Sequence, residues 1–256
     1  MTIGDRMPAR ATLHPDWLVP DWDVPARVRA VVTTRAGGVS LAPHDSLNLG
    51  TRCGDDADRV SRNRSLLRDC LPAGPVWLKQ VHGAAVVDAA SINDEVEADA
   101  LYARVPGLVC GVLVADCMPV LLAARDGSAV AVAHAGWRGM SQGVIEATVR
   151  AMAVPPSELV AWLGPAIGPA RFEVGPDVLD AFTRDDAAAA AAFVPYPERE
   201  GKFLCDLYAL ARRRLAAIGV TRVSGGGFCT VAESRFYSYR RDKTTGRMGA
   251  FIWIDP

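Results

Sequence analysis

The sequence predicts an α+β fold: a single-domain, mixed β-sheet sandwich with helices on the outside. Three observations carry that expectation. Short apolar and β-branched runs bounded by Gly, Pro or Asp recur along the chain, as strands do. Stretches with apolar residues at helical spacing fall between them. The two kinds of segment never settle into the regular βαβ rhythm of a doubly wound sheet. A chain of 256 residues, half of them apolar, is long enough to bury roughly 70–75 % of its unfolded surface. No linker-like stretch divides it and no repeat of 20–50 residues is visible, so residues 1–256 read as one domain.

Residues 1–25 hold four prolines and three Trp or His side chains without periodicity. They read as an extended lead-in that packs on the body. Strands are expected at Val28–Thr34, Val76–Val81, Leu108–Ala115, Val120–Ala124, Ala129–Ala133, Leu159–Leu163 and Ala250–Ile254. Helices are expected at Asp56–Cys70, Gly143–Ala153, Pro176–Thr183 and Cys205–Ala217. In the last, Leu207, Leu210, Ala211 and Leu215 keep helical spacing, and Arg212, Arg213 and Arg214 fall toward the opposite side. Asp185–Ala192 (DDAAAAAA) is the one low-complexity stretch and reads as a helix turn or an exposed loop.

Charge and composition exclude several function classes. Twenty-eight Lys and Arg stand against 29 Asp and Glu, a net charge of −1. That removes any global electrostatic case for nucleic acid or an anionic membrane as partner. The run Leu108–Ala115 is stopped by Asp116, far short of the roughly 20 residues of a membrane span. The opening MTIGDRMPARATLHPDW lacks the apolar core of a signal peptide. Six cysteines are too sparse for a disulfide scaffold, so the chain reads as cytoplasmic and reduced. There, a singled-out cysteine is a ligand, a nucleophile or a small core residue.

Histidine is scarce, which makes it informative. The four are His14, His44, His82 and His134. His14 lies in the lead-in and His44 in a Pro-flanked loop. His82 (WLKQVHG) and His134 (VAVAHAGWRG) each end an apolar run, with a glycine close behind. Cys117 (VLVADCMPVLL) again marks a strand end. Such ends, followed by tight turns, are where side chains converge on a cleft. Two imidazoles and one thiolate make a borderline-soft set that suits Zn²⁺ and leaves a fourth position open. The plain alternative is two hydrogen-bonded histidines and a small buried thiol.

Two further stretches invite a functional reading. Glycines ahead of a helical pattern in HAGWRGMSQG, with Arg138, suit an anion, as does Arg35 beside the glycine turn of TTRAGGVS. Neither matches a P-loop or a dinucleotide fingerprint, and on this signal alone both arginines read better as ordinary surface or structural residues. Phe236, Tyr237 and Tyr239 alternate as in a strand ahead of Arg240, Arg241 and Asp242. That pattern suits base stacking, but rings packed into a core with the arginines paired locally explain it better.

Nine ordered blocks carry a resemblance. They are SLNLG (Ser46–Gly50), NR (Asn63–Arg64), WLKQVHG (Trp77–Gly83), ADAL (Ala98–Leu101), ADCMPVLL (Ala115–Leu122), AHAGWRG (Ala133–Gly139), LGPAIGP (Leu163–Pro169), FEVG (Phe172–Gly175) and FYSYRRD with TGRM near the C-terminus. In order and spacing, from about Val28 to Ile254, the chain resembles the YfiH/laccase-domain family. The family's names include polyphenol oxidase, purine nucleoside phosphorylase and peptidoglycan editing factor. The resemblance implies a fold similar to the catalytic domain of cytotoxic necrotizing factor. It also implies a zinc site in which the family's two histidines and cysteine fall on His82, His134 and Cys117.

The implied activities can be weighed on the residues. A multicopper cluster is built almost wholly from histidine, and two of the four histidines here lie outside the candidate site. A single blue-copper site needs an axial Met, and Met118, next to Cys117, points to the opposite face of a strand. Copper therefore stands as an alternative metal with a weak oxidase reading. The leading expectation, implied by the resemblance, is zinc-dependent phosphorolysis of adenosine, inosine, guanosine and methylthioadenosine, with deamination of adenosine. Its partners are then a purine nucleoside and phosphate, with Arg35, Asn48 and Arg138 as substrate-binding candidates. Asp116 is a candidate acid, or a residue that orients its turn. A second class is a cysteine amidase acting on peptidoglycan precursors, with Cys117 as nucleophile and His134 as base. A third is a metal- or partner-binding module.

Overall fold

The computed structural model describes residues 11–92 and 95–256. β1 (Val28–Val32) is followed by α1 (Ala57–Asp69) and by the short strands β2 (Leu78–Lys79), β3 (Val86–Asp88), β4 (Val96–Glu97) and β5 (Ala100–Ala103). Next come β6 (Cys110–Val114), β7 (Met118–Ala124), β8 (Val130–Ala135), α2 (Trp137–Ser141) and α3 (Val144–Met152). β9 (Leu159–Leu163), β10 (Glu173–Val174) and α4 (Pro176–Thr183) lead to β11 (Phe193–Pro195), β12 (Phe203–Cys205) and α5 (Leu207–Ala217). β13 (Arg222–Gly225), α6 (Tyr239–Asp242) and β14 (Met248–Ile254) complete the order.

Six strands form one mixed sheet in the order β13-β9-β7-β8-β5-β3, parallel only at its two end pairs. An antiparallel sheet, β1-β14-β6, packs on one face of it. The period-2 alternation of strands shows how. Leu121 and Ala123 of β7 and Val130 and Val132 of β8 meet Ala250, Ile252 and Ile254 of β14 between the sheets. The residues between them, Val120, Leu122, Ala131 and Ala133, face α3, α4 and α5. On the far side of the small sheet, Val31, Phe251 and Trp253 pack against Leu67 of α1. The result is a β-sandwich with helices outside, and β7, β8 and β14 are buried on both faces. Small sheets β10-β12-β11 and β2-β4 lie beside it.

Several expected elements are narrower or different. The strand expected at Val76–Val81 runs as a strand only at Leu78–Lys79, where it pairs with the two-residue β4, while Val76 makes a single bridge to Cys110. The Phe236–Tyr239 alternation is not a strand. Phe236 and Tyr237 are fully buried in a loop, Tyr237 donates to the His44 carbonyl (2.6 Å), and Tyr239 begins α6. Arg214 is not on an outer face with Arg212 and Arg213; it turns to Glu146 of α3 (2.6 Å). Within Asp185–Ala192, Ala187–Ala192 form a 3-10 turn. The first ten residues of the lead-in lie outside the described residues, while Trp17 is buried and Leu18 bridges to Val32. No helix among the described residues is long and apolar enough to cross a membrane.

Candidate active site

Two chain turns and one strand deliver the candidate ligands. His82 follows β2 in a left-handed conformation, φ 61°. Cys117 sits in the turn from β6 to β7, just after Asp116, whose φ is 87°. His134 lies in β8 opposite Pro119 of β7. One ligand atom from each of the three falls within 4.8 Å of the others. The two imidazole rings meet edge-on with centroids 4.9 Å apart. Gly136 makes this approach feasible: a Cβ there would stand 2.6 Å from the Cys117 sulfur.

Asp99 ties the two histidines together. Its Oδ1 accepts from His134 Nδ1 (2.8 Å) and from the His82 backbone N–H (2.9 Å). Its Oδ2 accepts from the N–H groups of Gly83 (2.7 Å) and Val81 (3.2 Å). Its carbonyl accepts from the His134 N–H (2.7 Å). Burial pushes this carboxyl up, but His134 and the backbone donors outweigh that and hold it below the usual carboxylate range. With Nδ1 spent on Asp99, His134 has Nε2 left for a ligand, the arrangement that orients metal-bound histidines.

Burial also pushes the Cys117 thiol up, yet the imidazoles of His134 and His82 more than offset it and bring it down to about 6. Burial lowers His134, but Cys117 and Asp99 prevail and raise it to about 9. Both shifts run the same way, toward a thiolate at Cys117 and a protonated ring at His134. Two imidazole nitrogens and a thiolate would hold a divalent ion, and that donor set fits zinc. His134 is buried, Cys117 is half-buried and His82 is exposed, so the set opens to solvent on one side. Met118 is fully buried in the core under the helices.

The site lies in a cleft of about 510 Å³. Six cations line it: Arg52, Arg64, Arg138, Arg240, Lys243 and Arg247. The carboxylates on the wall are Asp116 and Glu95. Asp116 is committed, one oxygen to Thr230 Oγ1 (2.5 Å) and the other to the Arg240 N–H (2.6 Å). It braces the turn that carries Cys117. In a chain of net charge −1, this local excess of positive charge would suit an anion.

The substrate-binding candidates separate. Arg138 lines the cleft, with its guanidinium 4.5 Å over the Trp137 ring. Arg35 is not on the cleft wall; it pairs with Asp45 (2.9 Å) and stacks on Tyr237. Asn48 is fully buried and stands behind the wall. Its side chain bonds both backbone groups of Gly50, the Arg247 N–H (2.8 Å) and Asp55 (2.9 Å). It thereby positions two wall residues rather than touching a ligand. Sequence reasoning passed over Asp99, Arg52, Arg64 and Lys243. The blocks ADAL and NR contained two of them, but nothing local marks a buried carboxylate that acts across 35 residues.

Comparison with known proteins places the chain. A family profile described as multi-copper polyphenol oxidoreductase laccase matches residues 29–255. A Pseudomonas aeruginosa protein named purine nucleoside phosphorylase is 54% identical over 93% of this chain and 98% of its own. The Escherichia coli purine nucleoside phosphorylase YfiH is 52% identical, again over 93% and 98%. Among solved structures, Neisseria meningitidis protein NMB0706 superposes with a TM-score of 0.90 at 49% identity, covering 94% of this chain and 99% of that one. Bacillus licheniformis YfiH follows at 0.82 and 29% identity, over 90% and 93%. The whole sandwich is thus shared with these proteins, and the chain belongs to the YfiH/laccase-domain family.

Proposed function

We propose that this protein is a zinc-dependent purine nucleoside phosphorylase with adenosine deamination as a second activity, working in the reducing cytoplasm. One observation carries the reading: a His82–Cys117–His134 donor set opening into a cleft lined by six cations. The relatives named purine nucleoside phosphorylase support it. In phosphorolysis, a phosphate oxygen bonds to C1′ as the C1′–N bond breaks and the purine leaves with a proton. The reaction needs a dianion and a nucleoside held in one water-poor cleft.

His82, Cys117 and His134 would hold the ion. When bound, zinc supplies Lewis acidity and an acidified water, the same chemistry that zinc deaminases use. Asp99 fixes the tautomer of His134 and the turn of His82. Arg138, propped on Trp137, offers a guanidinium fork to phosphate. Asp116 holds the Cys117 turn. Copper would find the same three donors, but Met118 is buried in the core and supplies no thioether of the kind a blue-copper site uses.

A second reading has its own observation. Cys117, His134 and Asp99 also follow the nucleophile–base–orienter arrangement of a cysteine amidase. That reading gives His82 no task, although its ring closes on the other two.

Incubation with adenosine and phosphate, followed by chromatography, tests the proposal. Adenine with ribose 1-phosphate, and inosine in smaller yield, are expected. A strong chelator should abolish both products and Zn²⁺ should restore them. Intact adenosine at high enzyme concentration, with chelator-resistant labelling of Cys117 by an electrophile, would replace this reading with the amidase. The Arg138→Ala variant should raise the KM for phosphate about tenfold or more and leave deamination within about twofold. Equal loss of both activities would remove Arg138 from the phosphate contact.

A further inference from the structure

The charge balance of the cleft points to one place on its wall. Asp116 is committed on both oxygens. Glu95 is not, and its partner is the Arg52 guanidinium, in an ion pair whose side chains are 39 % and 56 % exposed. Arg52 follows Gly50 and Glu95 precedes β4, so the pair joins two wall segments 43 residues apart. Arg64 stands within electrostatic reach of both charges. It is already fixed: its Nε donates to the Leu49 carbonyl (3.0 Å), and its guanidinium lies 4.0 Å over the Trp77 ring. Among the described residues, its two terminal nitrogens make no further hydrogen bond.

Two neighbouring guanidiniums repel, and a carboxylate beside them offsets that repulsion. A carboxylate offers the same anionic oxygens as an oxyanion and so competes for the same donors. An exposed ion pair is weak and easily displaced, whereas a dianion gains charge-assisted bonds to both arginines. We propose that Arg52 and Arg64 form a phosphate station in the cleft, and that Glu95 is a built-in competitor which phosphate displaces. This deepens the phosphorylase reading and rests on it for its catalytic meaning.

The test uses the full zinc-loaded chain and inorganic phosphate, read two ways. Phosphorolysis at saturating nucleoside gives the KM for phosphate, and calorimetric titration without nucleoside gives its Kd. Glu95→Gln should lower both about two- to fivefold, the range that an exposed ion pair spans. Arg52→Ala and Arg64→Ala should raise both about tenfold or more. Arg64→Ala also removes packing on Trp77, so Arg52→Ala, at an exposed position, keeps the test independent of folding. The KM for nucleoside should stay within about twofold in all three, as for a separate contact. Phosphorolysis with phosphate KM and Kd unchanged in Glu95→Gln and Arg52→Ala would overturn the station while leaving the phosphorylase intact. Absence of phosphorolysis, with Kd values in the expected order, would keep the station and overturn the phosphorylase.

Discussion

Replacing Cys117 by serine is expected to lower nucleoside turnover by at least about 10³-fold, because Lewis-acid stabilisation is worth several kcal/mol and each 1.36 kcal/mol is tenfold in rate. The serine hydroxyl stays protonated where the Cys117 thiol, brought down to about 6 by two imidazoles, is already anionic. The donor set then loses its negative charge. Zinc measured per chain by atomic absorption should fall well below one. The fold should persist, because Cys117 lies in a half-buried turn and not in the sheet cores. His82→Ala sharpens the result. It removes one of three ligands, so turnover and zinc content should collapse as for Cys117→Ser. A cysteine nucleophile would keep its base His134 and its orienter Asp99, and would survive. Full turnover in His82→Ala would therefore end the metal reading, and retention of zinc and turnover in Cys117→Ser would end the ligand assignment.

What the sequence disclosed about this site follows from where its physics is local. His82, Cys117 and His134 were legible because histidine is rare here and each residue ends or begins an apolar run that became, or abuts, a strand. The long strands β7, β8, β9 and β14 were legible for the same reason, since both of their faces are buried and the runs are continuous. The two- to four-residue strands β3 to β5 and β10 to β13 have no periodicity to read and owe their pairing to the chain around them. The Phe236–Tyr239 alternation misled because its rings are placed by contacts with distant residues, Tyr237 with the His44 loop, and not by a pleat. Arg35, beside a glycine turn, and Asn48, in the SLNLG block, were candidates for ligand contact. Their polar atoms are instead consumed by Asp45 and by the Gly50–Arg247 wall. A polar side chain that organises a binding wall and one that touches a ligand look alike until the hydrogen bonds are counted.

Asp99→Asn should weaken zinc binding about 10- to 100-fold, the cost typical of losing a carboxylate behind a metal-bound histidine. The substitution preserves shape, removes the charge and replaces one acceptor oxygen by a donor NH₂. Every partner of the Asp99 carboxylate is a donor: His134 Nδ1 and the His82 N–H on one oxygen, Gly83 and Val81 N–H on the other. An asparagine must therefore point its NH₂ at donors whichever way it turns. Turned toward His134, it forces Nδ1 to accept, and Nε2 carries the proton and cannot ligate. Turned toward Gly83 and Val81, it leaves two N–H groups without an acceptor, at about 1–3 kcal/mol each where buried. It also loosens the left-handed turn that presents His82. Competition with a chromophoric chelator reads the first effect, and thermal unfolding of the zinc-free protein reads the second. A merely structural aspartate would lower the melting temperature and leave chelator competition unchanged once the chain is folded. Loss of zinc affinity in the folded variant makes Asp99 the residue through which one buried carboxylate sets two ligands that lie far apart in the chain.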